Sequence, residues 1–82
     1  MKRILKFSAT WCQPCKMLAK TLEDMELEFP LEEIDIDQNK DLLEKFNIRG
    51  VPTMVLMDGE DEVARHSGYM TSAQVTAWLA AA

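Results

Sequence analysis

Hydrophobic residues along this chain keep two rhythms. At the start, Ile4, Leu5 and Phe7 crowd into Arg3-Ile4-Leu5-Lys6-Phe7-Ser8, a run suited to a short, mostly buried strand. Cys15, Leu18, Leu22 and Met25 then recur at helical spacing and predict a helix over 13–26. Pro14 suits its first turn, where a missing N–H costs nothing, and Pro30 helps to end the segment. Residues 31–36 alternate, with Leu31, Glu33 and Asp35 on one side and Glu32, Ile34 and Ile36 on the other. A short helix fits 40–46, with Leu42, Leu43 and Phe46 inward and Asp37 or Asn39 as its cap. Asn47 and Gly50 mark the exit loop.

Thr53-Met54-Val55-Leu56-Met57 reads as a strand, Asp58-Gly59 as a turn, and residues 62–67 as the returning hairpin partner. Thr71-Ser72-Ala73-Gln74 has the form of a capping box, opening a helix with Val75, Trp78, Leu79 and Ala82 inward. The order is β-α-β-α-β-β-α. A parallel pair from the first β-α-β unit and an antiparallel hairpin make a four-stranded mixed sheet with helices on both faces, an α/β fold. The 82 residues are expected to form one domain.

Composition narrows the class. With 48% hydrophobic residues the chain is globular, and no apolar run approaches the roughly 20 residues of a membrane span. Nine basic against fourteen acidic residues give a net charge of −5, which argues against nucleic acid as a partner. Lys6 interrupts the only apolar stretch near Met1, so no signal peptide is expected and a cytoplasmic location is.

Both cysteines lie in Ala9-Thr10-Trp11-Cys12-Gln13-Pro14-Cys15-Lys16. A Cys-x-x-Cys pair at a strand-to-helix junction admits three readings: a staple, half a zinc site, or a reactive dithiol. A loop this short contributes little as a staple. Tetrahedral zinc wants four ligands, and the chain offers two Cys and the distant His66, so zinc would need a dimer or borrowed carboxylates. At a helix N-terminus, free N–H groups and the helix dipole favour the thiolate of Cys12. Cys15, one turn later, is placed to resolve a mixed disulfide formed by Cys12. The redox reading is therefore preferred, with no metal and no organic cofactor.

Trp11-Cys12-Gln13-Pro14-Cys15-Lys16, Ile36-Asp37-Gln38-Asn39 and Ile48-Arg49-Gly50-Val51-Pro52-Thr53 together resemble the thioredoxin family over nearly the whole chain. The likeness implies a thioredoxin-like fold without the extra N-terminal strand and helix of longer members. It implies a protein disulfide reductase with Cys12 attacking and Cys15 resolving, and Pro52 as a cis-proline beside them, with Gly50 giving that loop room. Trp11, Gln13, Pro14, Val51, Gly68 and Tyr69 would receive the partner segment, Met70 would edge that rim, and Lys16 would support Cys12 electrostatically. A thioredoxin reductase or the glutathione system would supply electrons, protein disulfides such as that of ribonucleotide reductase would accept them, and the chain would act as a monomer. A glutaredoxin-like reductant and a docking subunit with an incidental dithiol are the alternatives.

Two departures stand out. Gln13 replaces the usual glycine between the cysteines. Family members also place a buried Asp six residues before the first cysteine and a Lys on the neighbouring strand, whereas this chain has Lys6 and Glu33. The reversal suggests that Lys6 and Glu33 pair beneath the site, with Lys6 favouring the Cys15 thiolate or shuttling its proton; the competing expectation is that Lys6 snorkels to water. Met17, Met25, Met54 and Met57 are expected to fill the core, and His66 to lie on the surface.

Overall fold

A computed structural model describes residues 1–82. Its elements are β1 (Lys2–Ser8), α1 (Gln13–Glu23), β2 (Leu31–Asp35), α2 (Lys40–Lys45), β3 (Thr53–Asp58), β4 (Asp61–Ser67) and α3 (Ser72–Ala81). They form one mixed sheet in the order β2-β1-β3-β4. Strand β1 runs parallel to β2 and antiparallel to β3, and β3 pairs antiparallel with β4. The element order and mixed sheet read from the sequence are those observed.

The alternation along β1 divides the interior in two. Ile4 joins Leu18 and Leu22 of α1, Met54 and Leu56 of β3, and Val75 of α3 on one face. Leu5 and Phe7 join Ile34, Val55 and Met57 on the other, under Leu42, Leu43 and Phe46. Helices α1 and α3 thus cover one face and α2 the opposite one. Each face buries the apolar half of a period-two strand, the source of most of the fold's stability.

Three expectations are corrected. Helix α1 stops at Glu23, three residues short of the predicted end. Beyond it Met25, Leu27 and Phe29 pack against the first cluster at period two, in irregular chain. Phe29 also precedes Pro30, and the residue before a proline is pushed out of the helical region. Met17 is 49% exposed, because α1 turns Leu18 inward instead, while Met54 and Met57 are buried as expected. Ala82 is exposed at the end of α3 rather than on its inward face. At α2 the N-cap is Asn39, but its side chain makes no capping hydrogen bond and instead donates to the carbonyl of Asp35 at 3.0 Å.

A guanidinium fastens β4 to the end of α2. Arg65 donates to both carboxylate oxygens of Glu62, at 2.8 and 2.7 Å, and to the carbonyl of Phe46 at 2.7 Å. The hydrogen bonds from Arg65 hold the Glu62 carboxyl below its ordinary value, and Glu62 in turn raises Arg65.

Two stability predictions arise here. Leu18→Ala should cost about 3 kcal/mol in urea denaturation, and Met17→Ala should stay within about 0.5 kcal/mol. The folded state holds Glu62 below its unfolded value, so the pair stabilises above the ordinary carboxyl range and is lost as pH falls through the lowered value. Glu62→Gln should therefore cost about 0.5 kcal/mol at neutral pH, screened as a partly exposed pair is, with the difference from wild type vanishing in acid.

Candidate functional site

The cysteines sit where β1 ends and α1 begins. Cys12 is the N-cap of α1, in extended conformation, and its Sγ accepts the backbone N–H of Cys15 at 3.2 Å. Pro14 occupies the first turn. The two residues, with Cα atoms 5.2 Å apart, are joined as a disulfide. Both are buried and pack with Ala9 against Ile36 and Val51. A sulfur at an N-cap takes the place usually held by a Ser or Asp oxygen, so the same N–H groups that cap the helix stabilise negative charge on that sulfur.

A second loop closes over the pair. The Val51–Pro52 peptide is cis, as the family resemblance implied, and Pro52 is buried. The carbonyl of Val51 lies 3.7 Å from Cys12 Sγ. This loop is held from both sides. Thr53 Oγ1 donates to the Gly50 carbonyl at 2.7 Å and shares a hydrogen bond with Ser67 Oγ at 3.1 Å. The N–H of Gly68 donates to the Pro52 carbonyl at 2.7 Å.

Trp11 is 66% exposed, so its ring is a platform and not core. Its indole N–H donates to Asp37 at 3.0 Å. Trp11 and Val51 share a cavity of about 310 Å³ with Ile36, Leu43, Ile48 and Arg49. Of these, Ile36, Leu43, Ile48 and Arg49 are not among the predicted site residues; Ile36, Ile48 and Arg49 lie within the quoted motifs, which is the available signal. Gln13 and Pro14 are exposed on the first turn of α1. Gly68 and Tyr69 do not line that cavity: Gly68 is tied to Pro52, and the Tyr69 hydroxyl shares a hydrogen bond with Thr21 at 3.2 Å. Met70 is buried in the first cluster and does not edge a docking rim.

Lys6 does not reach solvent. Its side chain is 1% exposed, and Nζ lies 3.7 Å from Glu33 Oε1. Strand register places the two side by side, on the sheet face beneath α1. Lys16 is exposed on α1 and borders a cavity of about 150 Å³ with Ser8, Cys15, Glu33 and Asp35. No three His, Cys, Asp or Glu side chains come together in a way that could hold a metal ion.

An N-cap dithiol facing a cis-proline loop, on a sheet of order β2-β1-β3-β4, has close relatives. The thioredoxin family model matches residues 1–81. The chain belongs to the thioredoxin family. It is 39% identical to thioredoxin C-3 of Corynebacterium nephridii over 87% of this chain and 51% of that protein. It is 36% identical, over 79% of its length, to 15% of a bifunctional thioredoxin reductase/thioredoxin of Mycobacterium leprae. The structure of thioredoxin-2 from the malaria parasite superposes with a TM-score of 0.90 at 26% identity, covering 100% of this chain and 84% of that one. The chain thus spans about half the length of the Corynebacterium relative. No helix here is long and apolar enough to cross a membrane.

Gly50 does not have the role expected of it. Its φ is outside the left-handed region, and nothing lies within 4 Å of where a Cβ would stand. Gly68, at φ +101, is the glycine whose conformation other residues resist. Gly50→Ala should change thermal stability by less than about 0.5 kcal/mol, whereas Gly68→Ala should cost about 1–2 kcal/mol and loosen the Pro52 loop, read as a lower Tm.

Proposed function

We propose that this thioredoxin-family chain is a thiol–disulfide oxidoreductase that reduces disulfides in other proteins. The observation that carries the reading is Cys12 Sγ at the N-cap of α1, held beside the Val51 carbonyl with Cys15 joined to it. In the reduced protein, the Cys12 thiolate attacks one sulfur of a partner disulfide and expels the other as a thiolate. Cys15 then attacks Cys12 Sγ, its proton is released, and the second partner sulfur leaves. The partner gains two electrons and the Cys12–Cys15 disulfide forms. An external reductant restores the dithiol, so the chemistry itself uses no metal and no organic cofactor.

The partner segment lies extended against the Pro52 loop, pairing with the Val51 backbone as an added strand does. Trp11, with Gln13 and Pro14 beside it, offers the apolar platform on one flank. Gly68 and Tyr69 flank the other side of Pro52, and Lys16 adds positive charge near the dithiol. The Mycobacterium leprae relative joins a thioredoxin reductase to its thioredoxin, which favours such a reductase as electron donor here. The glutathione system is the other donor, and ribonucleotide reductase is an acceptor by family likeness alone. The reading places a monomer in the cytoplasm, where such reductants are maintained.

The test is turnover of insulin disulfides with dithiothreitol as the terminal reductant. Wild type should accelerate precipitation of the insulin chains well above dithiothreitol alone. Cys12→Ser should fall to that background, and Cys15→Ser should do so while accumulating a mixed disulfide visible on non-reducing gels. A wild type no faster than dithiothreitol would overturn the proposal in favour of a docking subunit.

A further inference from the structure

The sheet has two free edges, and their charges differ. Strand β2 ends the order β2-β1-β3-β4, so it pairs on one side only, with β1. The N–H of Ile4 donates to the Pro30 carbonyl at 2.8 Å, and that of Ile36 to the Ser8 carbonyl at 2.9 Å. Backbone groups alternate in direction along a strand, so Pro30, Glu32, Ile34 and Ile36 serve β1. The N–H and C=O of Leu31 and Glu33, and the N–H of Asp35, therefore face outward along the edge. The Asp35 carbonyl is already taken, by the Gln38 N–H at 3.1 Å and the Asn39 side chain at 3.0 Å. Leu31, Glu32 and Glu33 are exposed, so nothing in this chain covers the edge. Such a row of open donors and acceptors is a template for one further strand.

A recess lies beside this edge. Leu31 and Glu33 share a cavity of about 260 Å³ with Lys6 and with Ala19, Leu22 and Glu23 of α1. Side chains of an added strand would alternate between the two sheet faces. Those turned toward α1 would enter the cavity, and those turned away would pass Glu32. Ala19, Leu22 and Leu31 give the cavity an apolar lining. Its two carboxylates outnumber its one ammonium, and Lys6 is already paired with Glu33 at 3.7 Å. An aliphatic stem with a cationic tip fits such a recess.

Charge selects the occupant. Eight of the fourteen acidic residues lie within 23–37, where no Lys, Arg or His falls. The opposite edge, β4, has no such bias, since Glu62 there is paired with Arg65 at 2.7 Å. A second copy of this chain suits β2 poorly. Antiparallel pairing would set Glu32 and Glu33 against their own counterparts, and like charges across strands destabilise.

We propose that the β2 edge is a docking site for an extended basic segment of another protein. That segment adds as a fifth strand through the backbone of Leu31, Glu33 and Asp35. Its Lys or Arg side chains lie against Glu32 on one face and in the cavity with Glu23 and Glu33 on the other. Strand β1 separates this edge from the Pro52 loop, which precedes β3, so docking does not depend on dithiol chemistry.

The probe is a heptapeptide alternating Lys and Val, titrated into isotope-labelled protein and followed by amide NMR. Saturable shifts should appear at the N–H groups of Leu31, Glu33 and Asp35, and binding should weaken as salt is raised. The same peptide with Glu in place of Lys should not bind. Methylating the backbone nitrogens of the basic peptide removes its strand-forming donors and keeps its charge. Affinity should then fall about tenfold or more. Glu32→Lys, at an exposed position, should weaken the unmodified peptide by a similar factor. Equal binding of the methylated and unmodified peptides overturns the proposal, because it marks a diffuse attraction to acidic surface. Shifts centred on Trp11 and Val51 place the peptide beside the dithiol and also overturn it. So does the absence of saturable change up to about 1 mM peptide. Shifts at the β2 edge that follow protein concentration without peptide would make a second copy the occupant and overturn the basic-segment reading.

Discussion

The two-sidedness of β1 is the constraint on which the rest of the molecule depends. As a central strand it must hydrogen-bond on both edges, to β2 and β3, and present apolar groups to both faces. Ile4 anchors one cluster, Leu5 and Phe7 the other. A one-residue slip in its register would exchange the two sets and leave both helical layers without a partner. Because β1 is fixed so firmly, the turn after Ser8 that carries Cys12 is fixed as well.

Position on the sheet then explains how so small a chain assembles a reactive centre. Strands β1 and β2 run parallel, so their carboxyl ends open at the same edge of the sheet, where α1 begins and the segment around Ile36 passes. Strand β3 runs the other way, so its start, with Pro52 immediately before it, arrives at that same edge. Three segments far apart in sequence meet around two sulfurs. The hydrogen bonds from the buried Thr53 hydroxyl to Gly50 and from the Gly68 N–H to Pro52 hold the loop against them.

The face under α1 contains a buried charge, a breach of the usual rule that buried positions are apolar. Lys6 stands there, balanced by the Glu33 carboxylate on the adjoining strand, which also accepts the Ser8 hydroxyl. Its partner Glu33 also borders the cavity that Cys15 lines. The cost of this breach is limited because Glu33 remains in contact with water, so only one member of the pair is fully desolvated.

Much of this was written locally in the chain. The apolar run at 4–7, the alternation at 31–36, the turn at Asp58-Gly59 and the capping box at Thr71–Gln74 are short-range signals, and each element formed where its pattern stood. The Cys-x-x-Cys spacing likewise fixed a dithiol at a helix start, because both residues lie within one turn. What lay beyond the sequence were properties that depend on distant atoms. The early end of α1 came from residues 25–29 packing against the cluster at period two. Met17 turned outward because helical spacing alone does not say which side of a helix meets the sheet, and Met70, in the loop before α3, was drawn into the first cluster by contacts remote in sequence. The burial of Lys6, and its choice of Glu33 over open water, required β1 and β2 to pair in one register with α1 laid across them. Periodicity fixes which residues share a face; only the packed structure determines what that face meets, since solvation is set by neighbours remote in the chain.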